Sequence, residues 1–129
     1  IKTEITTKLE KADYIIITAG FPRTKNEKEY RLQENGRILL DILCNLLNKN
    51  LLPQKIIIMT NPVEYMTNLV IQYLGCENKK YDIYNPEEEL MKMRNGKELG
   101  WKIIQSKGYT NWGPAVSVVN LIKKLEGMK

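Results

Sequence analysis

The sequence predicts an α/β fold built on a partial, doubly wound parallel sheet. Residues 14–18 (YIIIT) and 56–60 (IIIMT) are two short runs of β-branched and apolar residues without polar alternation. Such runs are typical of strands that are buried on both faces of a parallel sheet. A long helical pattern separates them, so the three elements predict a βαβ unit with a right-handed crossover. Two buried strands need further neighbours for their ladder groups, and the predicted sheet is therefore partial.

The first helix is predicted over residues 27–49. Its apolar residues recur with the 3.6-residue period of one helix face; they are Leu32, Ile38, Leu39, Ile42, Leu43, Leu46 and Leu47. Asn48, Asn50 and Pro53 follow as residues that end helices. The stripe predicts that this helix packs one face against the sheet.

The second half of the chain is predicted to be mainly helical. A helix over residues 63–74 follows the second strand, and residues 76–85 show neither the helical nor the strand period. Asn85, a proline and three glutamates then predict the start of a helix over residues 86–107. A capping side chain and acids in the first turn favour that end of a helix. A final helix is predicted over residues 112–126.

The composition is that of a soluble globular protein and argues against several functional classes. The chain has 129 residues, of which 43% are hydrophobic, and a formal net charge of +5. Its basic residues alternate with acidic ones and no apolar run could cross a bilayer, so we expect neither nucleic acid nor membrane as a partner. Two cysteines are too few for a disulfide framework, which predicts a cytoplasmic location. The absence of histidine removes the commonest metal ligand and general base, and we expect no metal site.

The candidate site follows the two predicted strands, because ligands bind outside the carboxyl ends of strands in open parallel sheets. Residues 18–20 (TAG) carry no bulky side chain, so a ligand could approach their backbone closely. Residues 60–62 (TNP) place an amide at the second tip. Arg23 suits two-point recognition of a carboxylate or phosphate. The alternative is that Gly20 and Pro62 only shape turns and that the arginine is an exposed loop residue.

Four motifs in this order resemble the malate/lactate dehydrogenase family. They are residues 18–23 (TAGFPR), Asn35, residues 58–63 (IMTNPV), and residues 107–112 (KGYTNW) with the following Pro114-Ala115. The resemblance covers about residues 8–75 and 86–126. It implies part of a Rossmann-type sheet plus helices of the family's second, catalytic domain. We accordingly assign residues 1–75 to the dinucleotide-binding domain and residues 76–129 to the helical part of the substrate domain.

The resemblance also implies a cofactor site for NAD, formed by residues that match the family's motifs. Residues 18–20 (Thr18, Ala19 and Gly20) match the loop that lies against the dinucleotide, and Asn35 matches a helix residue that faces the cofactor. Met59 and Thr60 match the nicotinamide side, and Asn61 matches the amide that contacts both ribose and substrate. NADP is not distinguished from NAD, because the ribose selector of the family has no counterpart in this sequence.

On the substrate side, the resemblance implies interconversion of a 2-hydroxy acid and a 2-oxo acid. Arg23, Asn61 and Thr110 match the family's substrate-binding residues. Arg23 favours malate and oxaloacetate, since the second carboxylate of a dicarboxylate needs a second cation. Lactate and pyruvate are the alternative substrates. The family also implies a homodimer or homotetramer.

The sequence departs from the family where the reaction itself takes place. It contains no G-x-G-x-x-G phosphate loop, no C-terminal sheet, and no catalytic histidine with its partner aspartate. The interval between Gly75 and Pro86 is too short for the family's catalytic segment. We therefore predict that these 129 residues alone are not catalytically competent and are parts of a longer enzyme. The alternatives are a degenerate, noncatalytic α/β binding protein and, more weakly, a basic nucleic-acid-binding module.

Overall fold

A computed structural model describes residues 3–21, 31–75, 80–89 and 112–127 of the chain. The strands are β1 (Tyr14–Ile17), β2 (Lys55–Ile58) and β3 (Asp82–Tyr84), and the helices are α1 (Leu32–Asn48), α2 (Val63–Tyr73) and α3 (Trp112–Leu125). Residues 87–89 are also helical.

The three strands form one parallel sheet in the order β1-β2-β3. Tyr14 pairs with Lys55 at the amino end of β1 and β2, and Lys55 pairs in turn with Asp82 of β3. The order of elements is β1-α1-β2-α2-β3, which is one half of a doubly wound dinucleotide-binding fold. The predicted partial Rossmann-type fold is confirmed.

The helices α1 and α2 cover one face of the sheet. Their main contacts form a single apolar cluster that contains Ile17, Leu39, Leu43, Ile56, Ile58, Met66, Val70 and Leu74. Leu39 and Leu43 come from the predicted stripe of α1 and are fully buried, whereas Leu32 at its first turn is 36% exposed. The 3.6-residue period therefore identified the face of α1 that packs on the sheet. The predicted apolar stripe, however, extended one turn too far towards the N-terminus, to Leu32.

On the opposite face, α3 packs over β2. Ile16 of β1 points to the same side and is 42% exposed, so the prediction that both strands are buried on both faces is wrong for β1. Ile57 points to this side, between two residues that point to the other, and it is buried against Val118 and Leu121. Successive side chains of a strand point to opposite faces. All three isoleucines of β2 are consequently buried, which explains why its sequence does not alternate.

The prediction for residues 76–85 was wrong in one respect, because β3 lies within this segment. Asp82 is exposed and the other two residues of the strand are half-buried, so three residues give no readable period. The strand β3 is stabilised instead by its backbone pairing with β2. The proposed domain boundary at residue 75 stays a prediction, although β3 follows it and belongs to the same sheet as β1 and β2.

The predicted helices over residues 63–74 and 112–126 are confirmed by α2 and α3. The helix predicted over residues 27–49 is confirmed from Leu32 onward; residues 27–30 lie outside the described part. The helix predicted over residues 86–107 is described only at its helical residues 87–89. Within the described ranges, no helix is both long and apolar enough to span a bilayer, and no group of acidic or cysteine side chains is arranged to hold a metal ion.

Candidate functional site

The candidate site lies at the edge of the sheet where β1 and β2 end side by side. Ile17 and Ile58, the last residues of the two strands, are register partners. The N–H of Met59 continues the pairing by donating to the carbonyl oxygen of Ile17 at 2.8 Å. The segments that follow, residues 18–21 (the β1 loop) and residues 59–62 (the β2 loop), therefore leave the sheet next to each other.

Asn35 in the first turns of α1 lies beneath both loops and is only 1% exposed. Its Oδ1 accepts a hydrogen bond from the backbone N–H of Phe21 at 2.7 Å. Its Nδ2 donates to the carbonyl oxygens of Phe21 and Asn61, each at 3.2 Å. The side chain thus binds the β1 loop at two points and the β2 loop at one.

Thr60 forms a second connection between the loops. Its hydroxyl is buried and donates to the carbonyl oxygen of Ala19 at 2.6 Å, with the carbonyl oxygen of Ile17 at 3.5 Å. The side chain of Thr60 therefore points inward, towards the backbone of the β1 loop. The predicted role of Thr60 on the nicotinamide side stays a prediction.

At position 20 of the β1 loop, both the backbone conformation and the lack of room for a side chain require glycine. Its φ is +141°, a conformation that residues with a side chain rarely adopt. A Cβ atom at this position would lie 3.1 Å from Cγ and Oδ1 of Asn35 and 3.1 Å from Cγ2 of Thr60. The β1 loop consequently sits directly on the two side chains that hold it.

The predicted cofactor residues divide into two groups by exposure. Thr18, Gly20 and Asn61 are exposed, and Ala19 and Met59 are half-buried. Ala19 and Met59 pack against the apolar clusters on the two faces of the sheet. The three exposed residues form the outer side of the two loops, whereas the buried side chains of Asn35 and Thr60 support the loops from within. Direct contact of any of the seven residues with a cofactor stays a prediction.

The β2 loop continues into α2 through Pro62. The peptide bond between Asn61 and Pro62 is cis. Pro62 has an extended backbone, with φ −74° and ψ 125°, and the helix begins at Val63. Pro62 therefore occupies the position immediately before the first helical residue of α2.

A third polar residue lies at the same edge of the sheet, after β3. The Oδ1 of Asn85 accepts a hydrogen bond from the N–H of Glu87 at 3.1 Å, which confirms the predicted cap of the helical residues 87–89. Its Nδ2 also donates to the hydroxyl of Thr67 on α2 at 3.0 Å. Sequence reasoning identified the cap but not the contact with α2, because the two residues are 18 positions apart.

The guanidinium of Arg31, just before α1, lies over the ring of Phe21 at 5.0 Å from the ring centroid. Its Nε is 3.6 Å from a carboxylate oxygen of Glu34. The stacked pair brings together the two described residues that flank the segment 22–30. A cation over an aromatic face is an attractive contact, and it keeps these flanking residues close to each other.

The orientation of α3 follows from its contacts with the sheet. Glu126, directly after the last residue of α3, accepts a hydrogen bond from Tyr14 at the amino end of β1, while Val118 packs with Ile57 of β2. The helix therefore runs against the direction of the strands. Its fourteen residues rise about 20 Å, against about 10 Å for a four-residue strand, so the helix is longer than the strands on which it packs.

Two of the predicted substrate-binding residues lie outside the described part of the chain. Arg23 falls within residues 22–30 and Thr110 within residues 90–111. Arg23 is two positions after Phe21, whose backbone is held by Asn35. Thr110 is two positions before α3. Their roles stay predictions, together with that of Asn61, the third substrate-binding residue.

The opposite, amino edge of the sheet holds a charged cluster, which consists of Tyr14, Lys55 and Glu126. The hydroxyl of Tyr14 donates to Glu126, and Nζ of Lys55 lies 3.8 Å from the carboxylate of Glu126 and 3.5 Å from the tyrosine oxygen. The hydrogen bond to Glu126, followed by desolvation, raises the pKa of Tyr14. The hydrogen bond to Tyr14 raises the pKa of Lys55. Sequence reasoning did not find this cluster, because Glu126 is 112 residues from Tyr14.

Comparison with known proteins gives the family. Residues 1–81 match the family model described as "lactate/malate dehydrogenase, NAD binding domain". The chain is also similar to a malate dehydrogenase from Hydrogenobaculum sp. (strain Y04AAS1), with 33% identity over 72 residues, which is 56% of this chain and 22% of that protein. No solved structure matches the chain. The family model covers more than half of the residues, including β1, α1, β2 and α2, and the chain therefore belongs to the lactate/malate dehydrogenase family.

Proposed function

We propose that this chain contributes the nicotinamide side of the cofactor site in an NAD-dependent dehydrogenase of 2-hydroxy acids. The observation that carries the proposal is the pair of loops at the carboxyl edge, locked to each other by the buried side chains of Asn35 and Thr60. Preorganised loops bind a ligand without a further ordering cost. The family match to an NAD binding domain supports the same cofactor.

Two features of the loops support the approach of a dinucleotide. Gly20 is exposed and adds no side chain of its own, and Asn35 and Thr60 fill the side on which a Cβ would project, so a ligand would approach the loop from its exposed side. A planar ring can therefore approach the backbone from outside. The side chains of Thr18 and Asn61 are exposed there and offer hydrogen-bonding groups without a charge.

In the proposed reaction, bound NAD supplies the hydride acceptor, and the chain binds and orients both reactants. The amide of Asn61 is exposed at the tip of the β2 loop while its own carbonyl oxygen is held by Asn35. This arrangement supports a role in binding the substrate oxygen and the ribose. Arg23 would bind the second carboxylate of malate or oxaloacetate, and Thr110 would contribute a hydroxyl to the same pocket.

The proposal assigns no general base to these residues. Removal of the hydroxyl proton requires a base within hydrogen-bond reach. The 129 residues contain no histidine, and the β1 and β2 loops consist of uncharged residues. We propose that the base belongs to a longer enzyme, which would be a cytoplasmic homodimer or homotetramer. A native mass near the 15.0 kDa of these residues would contradict the longer enzyme.

The first test is binding of NADH to the complete dehydrogenase that contains these residues, measured by the fluorescence of NADH. We expect Gly20→Ala to weaken binding at least about tenfold, because strain and the crowded Cβ shift the β1 loop. Gly127→Ala is the matched control: its φ is +71°, but a Cβ there meets nothing within 4 Å. Unchanged affinity in Gly20→Ala, or absence of binding to the parent enzyme, would overturn the proposed cofactor site.

The second test concerns the substrate and is made in the complete dehydrogenase. We expect Arg23→Gln to lower kcat/KM for oxaloacetate by about 30-fold or more, because a buried carboxylate loses its charged partner. Turnover of pyruvate should fall much less. Lys25→Gln, which removes a cation from the same polar segment, is the control. Equal losses for the two substrates would refute the preference for a dicarboxylate.

A further inference from the structure

We infer that Asn35 is a positioning residue, which fixes the β1 loop to the β2 loop through its side-chain amide whether or not a dinucleotide is bound. The inference concerns the architecture of the edge; only its effect on NADH affinity rests on the proposed function. It differs from the direct cofactor contact that the family resemblance implies for this residue.

The first argument is that both donors of the amide are already used. A side-chain amide has two N–H donors and one carbonyl oxygen. Both donors of Asn35 go to backbone carbonyl oxygens, one in each loop, and the oxygen accepts the N–H of Phe21. A ligand could take an amide hydrogen only by breaking one of these bonds and leaving a backbone carbonyl oxygen without its partner.

The second argument is that the side chain is enclosed. Asn35 is 1% exposed, and its Cγ and Oδ1 lie 3.1 Å from the position that a Cβ on Gly20 would occupy. The β1 loop therefore covers the amide and separates it from the outer surface. Rotation of the amide towards solvent would require the loop to lift off.

The third argument is that Asn35 belongs to a rigid element. Its backbone N–H donates to the carbonyl oxygen of Arg31 at 2.9 Å, as the first turn of α1 requires. The next residue, Gly36, allows α1 to approach α2 so closely that an added Cβ would lie 3.0 Å from Cδ2 of Leu69. The amide is thus held from below by helix packing, and the loops are held by the amide.

The consequence concerns the orientation of Asn61, the proposed substrate-binding residue. Its carbonyl oxygen is the acceptor of Asn35, whereas its own side chain is exposed. Fixing the carbonyl restricts rotation of the backbone that carries this side chain. Asn35 would therefore act on a bound ligand through Asn61 and Phe21.

The inference is tested on the chain in the absence of dinucleotide, labelled with ¹³C and ¹⁵N for NMR. In the parent chain we expect a scalar coupling across the hydrogen bond between the backbone nitrogen of Phe21 and Cγ of Asn35. In Asn35→Ala, exchange of the Phe21 amide hydrogen should accelerate at least about tenfold. The amide of Met59, which is bound to Ile17, should keep its protection because the sheet is intact.

Asn45→Ala is the matched control, because Asn45 is an exposed asparagine ten residues further along the same helix. It should leave the exchange of Phe21 unchanged. Absence of the coupling in the parent chain, or equal exchange of Phe21 in the Asn35 and Asn45 variants, would overturn the inference. Because the coupling is measured in the parent chain, it decides the question even if Asn35→Ala does not fold.

A final measurement connects the clamp to the ligand. NADH affinity should fall at least about tenfold in Asn35→Ala and stay unchanged in Asn45→Ala. Failure of the parent enzyme to bind NADH would overturn the proposed function without altering the coupling or the exchange rates. The two failures are therefore distinguishable.

Discussion

The two edges of the sheet are organised by different kinds of interaction. At the carboxyl edge, the buried uncharged side chains of Asn35 and Thr60 bind the backbone of two loops. At the amino edge, the partly exposed side chains of Tyr14, Lys55 and Glu126 bind each other. Hydrogen bonds from buried neutral groups to the backbone do not titrate, and salt screens them little. Exposed ion pairs, in contrast, titrate and are screened by salt.

This difference between the interactions at the two edges indicates which edge of the sheet has a fixed geometry. Each bond at the carboxyl edge has one partner, Asn35 or Thr60, whose side chain is buried, and a buried polar group that loses its partner is costly. Charged groups at the amino edge can return to solvent when a partner is lost. A ligand site needs loops of constant shape, and the carboxyl edge is the one that provides them.

The largest effect on stability is expected from Asn35→Asp. The carboxylate keeps the acceptor for the N–H of Phe21, but it replaces both donors with an oxygen that faces the carbonyl oxygens of Phe21 and Asn61. We expect the free energy of unfolding to fall by about 3 kcal/mol, because a buried carboxylate would face two backbone carbonyl oxygens that have lost their donors. Urea denaturation measures the change, with Asn45→Asp as the control. If Asn35→Asp lost no more stability than Asn45→Asp, the carboxyl edge would not depend on the hydrogen bonds of Asn35, and the contrast with the amino edge would be wrong.

A smaller effect is expected from Thr60→Val. Valine matches threonine in shape and removes only the hydroxyl that donates to Ala19. The expected loss in the free energy of unfolding is about 1 kcal/mol, the usual value for one neutral hydrogen bond. If urea denaturation gave the same loss of stability for Thr60→Val as for Asn35→Asp, the loss would not depend on the number of hydrogen bonds that each substitution removes.

The smallest effect is expected at the amino edge, and it should depend on pH. The pKa of Tyr14 is raised in the folded protein by its hydrogen bond to Glu126. A raised pKa means that stability is fully present below the ordinary value of 10.0 and is lost as the pH rises through the higher folded value. We expect Tyr14→Phe to destabilise the chain slightly at pH 8 and to reduce the loss of stability on going to pH 11.

The control for that experiment is Tyr65→Phe, which changes an exposed tyrosine on α2. It should leave the loss of stability between the two pH values as it is in the parent chain. A Tyr14→Phe variant that lost as much stability at high pH as the parent would show that the cluster does not contribute. Added salt should weaken the Lys55–Glu126 pair and leave the carboxyl edge unaffected.

The sequence predicted the elements that carry a period and missed the contacts that join distant residues. The strands β1 and β2 were recognisable because their isoleucines form continuous runs, and α1 because its leucines recur with the helical period. Asp82–Tyr84 is too short for a period and was found only through its pairing with β2. Hydrogen bonds to β2 override the weak local pattern of such a strand.

The candidate site was predicted as a set of residues but not as an arrangement. The family motifs pointed to Asn35 and Thr60 as cofactor residues, and the structure brings both to the correct edge. Their inward orientation depends on partners 14 to 43 positions away along the chain, which no local pattern encodes. Gly20 carried the clearest signal, since a glycine after a buried strand is often required by backbone geometry.

The contact between Ile57 and α3 has a consequence for the order in which the molecule is completed. Synthesis from the N-terminus produces β1, α1, β2 and α2 at least 39 residues before α3 begins. Val118 and Leu121 bury Ile57 on the second face of the sheet. Such contacts between residues far apart in sequence form slowly, because a long loop must close first. The nascent half-sheet therefore spends the interval with an apolar face open to water, at the time when aggregation is the main hazard.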